Sequence, residues 1–209
     1  MNIYITRHSK TIWNQEKRLQ GRKDSPLTDE GIKNAYALKK YINNISFDCV
    51  FSSPIKRAYD TAKILTNNQI VIDHNLIEMD FGVLEGKKIS EILQTNYEVY
   101  NNMWNHPELF ERIKDGESYD EVQNRVKIFL DNLKKKNFNN VLIVTHGMLF
   151  INMCAYMLGL ERKDFIKINQ QVVDGCSLTL FEEIDGEYKM VFFGKNDFLP
   201  YQSNNIFNK

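Results

Sequence analysis

Short β-branched runs alternate along this chain with longer stretches of helical period, and each run gives way to a polar or glycine-bearing turn. Asn2–Thr6 (NIYIT) reads as a buried strand. Thr28 opens a helix as N-cap, with Asp29 and Glu30 in the first turn and Ile32, Ala35, Leu38 and Ile42 along one apolar face. Residues 48–51 (DCVF) form a second strand, and the helix after it can use Ser53 as cap and Pro54 at its first position. A short strand at 70–72 leads into the loop LIEMDFGVLEG, and residues 89–105 are helical but aromatic and irregular, as an inserted flap would be. Ser118 and Glu121 have capping-box spacing ahead of Val122, Val126, Phe129, Leu130 and Leu133. VLIVT at 141–145 is the clearest buried strand and runs through His146-Gly147 into another helix. Residues 176–184 and 188–193 flank Asp185-Gly186, a hairpin turn pair, and the Asn-rich tail from about 195 reads as irregular. Strand and helix in alternation predict an α/β layered fold whose largely parallel sheet ends in an antiparallel edge hairpin.

At 209 residues, with no Pro/Gly/Ser-rich linker, one core is expected: residues 1–209 as a single domain, with the flap at about 89–115. A chain of this size buries about 70% of its unfolded surface and needs no disulfide or metal staple. Lys plus Arg and Asp plus Glu both total 27, so no global field draws the protein to nucleic acid or an anionic membrane, and any anion site must be local. Cys49, Cys154 and Cys176 lie in apolar contexts without a C-x-x-C and read as buried thiols. The first residues, MNIYITRHSK, show no basic n-region, long apolar h-region or small-residue cleavage site, so a secretory leader is not expected, and no apolar run reaches the ~18 residues of a membrane span. A cytoplasmic protein, without a membrane or nucleic-acid partner, is expected; the pattern sets no oligomeric state.

In open α/β sheets ligands bind beyond the carboxyl ends of the strands. Arg7-His8 follows the first strand and His146-Gly147 follows VLIVT, so both histidines fall at equivalent places. His74 and His106, in polar loop contexts, read as ordinary surface residues. A zinc site is expected to show a third ligand and H-E-x-x-H or cysteine spacing, and neither is present. Arg7 and Arg57 instead suit a phosphate dianion, which guanidinium forks and helix amides bind without a metal.

Four ordered motifs then resemble the histidine phosphatase superfamily, which includes the cofactor-dependent phosphoglycerate mutases and related small phosphatases. The opening motif carries Arg7, His8, Thr11, Trp13, Asn14, Arg18, Gln20-Gly21, Asp24 and Pro26-Leu27-Thr28. SSPIKRAYDTA matches through Ser53, Pro54, Arg57, Ala58 and Thr61-Ala62; LIEMDFGVLEG through Leu76, Glu78, Gly82 and Glu85-Gly86; VTHGMLF through His146 and Gly147. Two positions depart: Ser9 stands where the family usually has glycine, putting a side chain into a close backbone approach, and Leu84 replaces a common tryptophan, altering the expected pocket wall.

The resemblance implies a three-layer α/β/α fold with a mostly parallel central sheet, like that of phosphoglycerate mutase. It implies a metal-independent phosphomonoester hydrolase that acts through a phosphohistidine on small phosphorylated metabolites, with no cofactor. His8 is then the nucleophile, and Arg7, Arg57 and His146 meet the charge on the phosphoryl oxygens, as a loose transition state requires. Asn14, Gln20, Gly21 and Gly147 complete the substrate-binding set; Glu78 is the acid, with Asp80 and Glu85 in reserve. A 2,3-bisphosphoglycerate-dependent mutase is the alternative, and a non-catalytic phospho-ligand module a third reading. The compact length favours the phosphatase. Tyr97, Tyr100, Met103, Trp104 and Phe110 of the flap belong either to its packing or to the pocket wall.

Overall fold

A run in which every side chain is apolar can be buried on both faces only if helices cover both, and Val141, Leu142, Ile143 and Val144 are all fully buried. Val141 and Ile143 point into one core, Leu142 and Val144 into another. Each such side chain is worth about 1.5–3 kcal/mol on transfer from water. A computed structural model describes residues 1–169 and 174–202. Its elements, in order, are β1 Asn2–Arg7, α1 Ile12–Gln15, α2 Asp29–Tyr41, β2 Cys49–Ser52, α3 Lys56–Leu65, β3 Ile70–Ile72, α4 Ile89–Thr95, α5 Tyr97–Asn105, α6 Tyr119–Lys134, β4 Asn140–Thr145, α7 Gly147–Met157, α8 Ile166–Asn169, β5 Leu178–Ile184 and β6 Glu187–Lys195.

The sheet runs β3-β2-β4-β1-β5-β6, with the first four strands parallel and the last two antiparallel. One face carries α2 and α3, through Ala35, Leu38, Ala58 and Ala62; the other carries α6 and α7, through Val122, Val126, Phe129 and Phe150. This is the three-layer arrangement. The expected caps form at Thr28, which accepts the Gly31 N–H at 3.0 Å, and at Ser118, whose capping box with Glu121 closes. Asp185 and Gly186 turn the hairpin with φ of 52° and 90°, the left-handed values that such a turn demands.

Several details differ from the pattern. Ile32 is exposed, and Gly31 and Asn34 are buried instead, because Gly31 lies against Lys10 in the loop after β1 and the Asn34 amide pairs with the backbone of Tyr201 at 2.6 and 3.1 Å. Helix α3 starts at Lys56 after Ile55, without a side-chain cap, so Ser53 is not its N-cap and Pro54 is not its first residue. Cys49 is only partly buried, on a strand face that Phe129 and its neighbours do not fully cover. The 89–105 segment is two helices, and Tyr100, Met103 and Phe110 sink into the larger core while Tyr97 is exposed. Leu84 joins the same core and forms no pocket wall: the loop turns it inward between Gly82 and Gly86. Strand β6 extends to Lys195; residues 196–202 form no helix or strand, and the rest of the Asn-rich tail lies outside the described residues. Among the described residues no helix is long and apolar enough to cross a membrane.

Candidate active site

The register of the two central strands assembles the site. Arg7 pairs with Thr145, and the His8 N–H donates to the Thr145 carbonyl at 2.7 Å, so both chains leave the sheet side by side. Their next residues, His8 and His146, stand with ring centroids 5.3 Å apart at 56°. His8 is 2% exposed, His146 0%.

His8 Nδ1 lies 2.7 Å from the Ser9 carbonyl. A carbonyl has no proton to give, so Nδ1 carries the hydrogen and Nε2 holds the bare lone pair. Burial, then the charges of Arg57 and Arg7, hold the His8 pKa well below its ordinary 6.5, so the ring is neutral despite the opposing bond to Ser9. Ser9 is itself tied on two more sides: its N–H donates to Thr61 Oγ1 at 3.1 Å and its hydroxyl to the Gly31 carbonyl at 2.6 Å. The close approach expected at residue 9 is made by its neighbours. A Cβ on Gly31 would stand 2.2 Å from the Lys10 oxygen, and one on Gly175 2.7 Å from the His8 oxygen. The Ser9 side chain therefore fits, as a strap from the loop after β1 to α2.

His146 bonds through the other ring nitrogen. Its Nε2 is 2.6 Å from Ser53 Oγ, which also accepts the Ile55 N–H at 3.2 Å, and its buried Nδ1 has no hydrogen-bond partner among the described residues. Burial comes first, then Arg57, His8, Arg7 and Arg125, in pushing its pKa well down. Arg57, 1% exposed on the first turn of α3, donates through Nη2 to the Gly21 carbonyl at 2.6 Å and through Nη1 to the Lys23 carbonyl at 2.7 Å and Asp24 Oδ1 at 3.1 Å. Its Nε is buried without a partner among the described residues. A buried unpaired polar group costs about 1–3 kcal/mol, and an oxyanion is the ligand that an unpaired guanidinium N–H would recover it from.

Glu78, 6% exposed, closes the N-terminus of α7: its carboxylate accepts the Met148 N–H at 3.2 Å and the Leu149 and Met79 N–H groups at 3.0 and 2.9 Å. A Cβ built on Gly147 would lie 3.7 Å from Arg7 Nε and 3.8 Å from Glu78 Oε2, so Gly147, Arg7 and Glu78 line one spot. Burial lowers the Arg7 pKa, while Glu78 and Asp174 oppose it. Asn14 Oδ1 is taken by the Thr11 N–H and hydroxyl at 3.1 and 2.9 Å, which turns the amide NH₂ the other way. Gln20 is buried, its oxygen accepting the Ser25 hydroxyl at 3.2 Å and standing 3.1 Å from Thr11 Oγ1, whose one proton it shares with Asn14 Oδ1.

Of the reserve carboxylates, Asp80 is engaged by the Gly82 N–H and by Arg22, and Glu85 by three backbone N–H groups. Among the described residues no three of His, Cys, Asp and Glu gather as a metal ion would require. His74 and His106 are exposed.

One support has no signature along the chain. Arg125 of α6 donates to the Asn75 and Ile77 carbonyls at 2.9 and 3.0 Å, just ahead of Glu78, and meets Glu117 with both ends of its fork at 3.0 and 2.9 Å. Glu117 also accepts the Asp80 N–H and pairs with Arg22. Along the chain Arg125 has the spacing of a solvated helix face; only Glu117, one residue before the capping box, lies near a recognised motif.

The family model described as histidine phosphatase superfamily (branch 1) matches residues 3–196. The chain belongs to that superfamily. A relative from Hydrogenobacter thermophilus named "Putative phosphoserine phosphatase 2" is 35% identical over 196 residues, covering 92% of this chain and 95% of its own. "Probable phosphoglycerate mutase GpmB" of Yersinia pestis (strain Pestoides F) is 34% identical over 164 residues, covering 77% and 76%. The solved structure of Bacillus stearothermophilus YhfR superposes with a TM-score of 0.88 at 29% identity, over 95% of this chain and 98% of the other. The histidine phosphatase fold expected from the four motifs is thus the fold observed.

Proposed function

We propose that this histidine phosphatase hydrolyses phosphate monoesters of small metabolites through a phosphohistidine on Nε2 of His8. The observation that carries the reading is the neutral His8 ring, its Nδ1–H held by the Ser9 carbonyl and its lone pair on Nε2, beside two guanidinium groups. In the first step the Nε2 lone pair forms a bond to phosphorus, and the P–O bond to the leaving group breaks with its electron pair on oxygen. Glu78 gives that oxygen its proton. In the second step water attacks phosphorus, the P–N bond returns its pair to Nε2, and Glu78 takes the water proton back. Arg7, Arg57, His146 and the Asn14 amide meet the equatorial oxygens, the positioning and charge that a loose transition state calls for. Gln20, Gly21 and Gly147 complete the substrate set. Residues 1–209 act as one catalytic domain in which the helical segment 89–115 borders the site, and the three cysteines, none in a disulfide, suit a reducing cytoplasm.

The relative named for phosphoserine makes that ester the first substrate to assay, beside 4-nitrophenyl phosphate and a panel of alkyl phosphates. Turnover should persist in EDTA, and a labelled phosphoenzyme should map to His8. Glu78→Gln should slow the phosphorylation of His8 by alkyl esters about 10²–10⁴-fold, the usual contribution of a general acid, and by the nitrophenyl ester far less. Equal losses on both ester types would remove Glu78 from that role. Rapid interconversion of 2- and 3-phosphoglycerate that depends on 2,3-bisphosphoglycerate would turn the reading toward a mutase.

A further inference from the structure

A carboxylate that the mechanism does not use lies on the far side of the loop that holds Arg57. Glu85 Oε1 accepts the Arg22 N–H at 2.7 Å and the Phe81 N–H at 3.1 Å, and Oε2 accepts the Lys23 N–H at 3.2 Å. The Arg22 N–H and the Gly21 carbonyl belong to one peptide unit, and that carbonyl is the oxygen Arg57 Nη2 reaches at 2.6 Å. One peptide thus joins a carboxylate to a guanidinium, its N–H facing the negative group and its oxygen the positive one. Each bond polarises the peptide in the sense that strengthens the other. Gly21 is what lets the two come so close: its φ is +58°, and a Cβ there would stand 1.9 Å from Glu85 Oε1.

We propose that Glu85 is a positioning residue for Arg57, acting through the peptide that links Gly21 to Arg22. The proposal rests on the phosphatase reading only in taking Arg57 as a phosphoryl ligand. Arg57 has two of its nitrogens bound to the 21–24 loop, so where that loop sits decides where the remaining Nε points. Glu85 sets the loop from behind. Beside it the backbone ties the third motif to the first: the Gly86 N–H donates to the Leu19 carbonyl at 2.7 Å and the Leu19 N–H to the Lys87 carbonyl at 3.0 Å.

The test is a double-mutant cycle on the full chain, read by orthovanadate binding in a calorimeter and by kcat and KM on 4-nitrophenyl phosphate. Glu85→Gln keeps the side-chain volume and one acceptor but sets an NH₂ against the Lys23 N–H. It should weaken vanadate and lower kcat/KM about tenfold, within the range for groups in one hydrogen-bond network. In an Arg57→Ala background the same change should cost less than about twofold, because nothing is left to position. A purely structural role would not produce that loss of effect. An equal factor in both backgrounds overturns the proposal. If Arg57→Ala alone binds vanadate like the parent, the phosphoryl-ligand role of Arg57 fails and the inference with it. Should Arg57→Ala not fold, Arg57→Lys, which keeps the charge and loses the fork, takes its place with the same expected non-additivity.

Discussion

His8 and His146 leave adjacent parallel strands at the same level, are equally hidden from water and are both held neutral, yet they are hydrogen-bonded through opposite ring nitrogens. His8 gives Nδ1 to a backbone carbonyl, which dictates the tautomer and frees Nε2. His146 gives Nε2 to the Ser53 hydroxyl, which can donate or accept, and keeps Nδ1 inside the site without a partner among the described residues. A carbonyl prescribes one protonation pattern; a hydroxyl permits two. The first arrangement suits a nucleophile that must always offer a lone pair. The second suits a group that meets phosphoryl oxygens whose protonation changes through the reaction.

The largest expected effect separates the two residues outright. His8→Ala should lower kcat by on the order of 10⁴-fold or more, as removal of a covalent nucleophile does, and should abolish the labelled phosphoenzyme. A variant that retains label elsewhere would break the assignment. His146→Gln should cost about 10²–10³-fold, the scale for one oxyanion donor, with phosphoenzyme still formed on a slower time course. If His146→Gln also lost the label entirely, the two histidines would be interchangeable and the contrast would fail.

Smaller changes probe the partners. Ser53→Ala leaves His146 Nε2 buried and unpaired, so a stability loss of about 1–3 kcal/mol in urea titration and a rate loss below that of His146→Gln are expected. Proton linkage should treat both histidines alike. The unfolded chain binds protons near the ordinary 6.5 that the native rings refuse, so stability from each is fully present above that pH and is lost as pH falls from it toward the lower native values. Replacing either histidine by glutamine should flatten the stability profile below pH 6.5, and a profile left unchanged by one of the replacements would show that this ring is charged in the native state. Ser9→Ala should have the least effect: loss of the hydroxyl bond to Gly31 costs about 1 kcal/mol, with kcat changed no more than a few-fold because the Ser9 carbonyl still holds His8. A hundredfold fall in kcat would mean that the strap itself places the nucleophile.

What could be read along the chain was whatever depends on local periodicity and spacing. The six strands, the Thr28 and Ser118 caps, the Asp185-Gly186 turn and the four motifs that carry Arg7, His8, Arg57, Glu78 and His146 are properties of neighbouring residues, since an apolar run or a cap needs only its own segment to form. Tertiary structure decided which ring nitrogen of each histidine is free, because that depends on whether a carbonyl or a hydroxyl from another place arrives at the ring. It brought the Ser53 hydroxyl to His146, turned Leu84 and the flap's Tyr100, Met103 and Phe110 inward, and bound Glu85 to a loop more than 60 residues away in sequence. It also brought in Arg125, whose helical position resembles any solvated arginine until the Glu78 loop folds against it. Side-chain chemistry is written residue by residue, but the partner that sets its protonation and direction is chosen by long-range packing, and no local pattern encodes that choice.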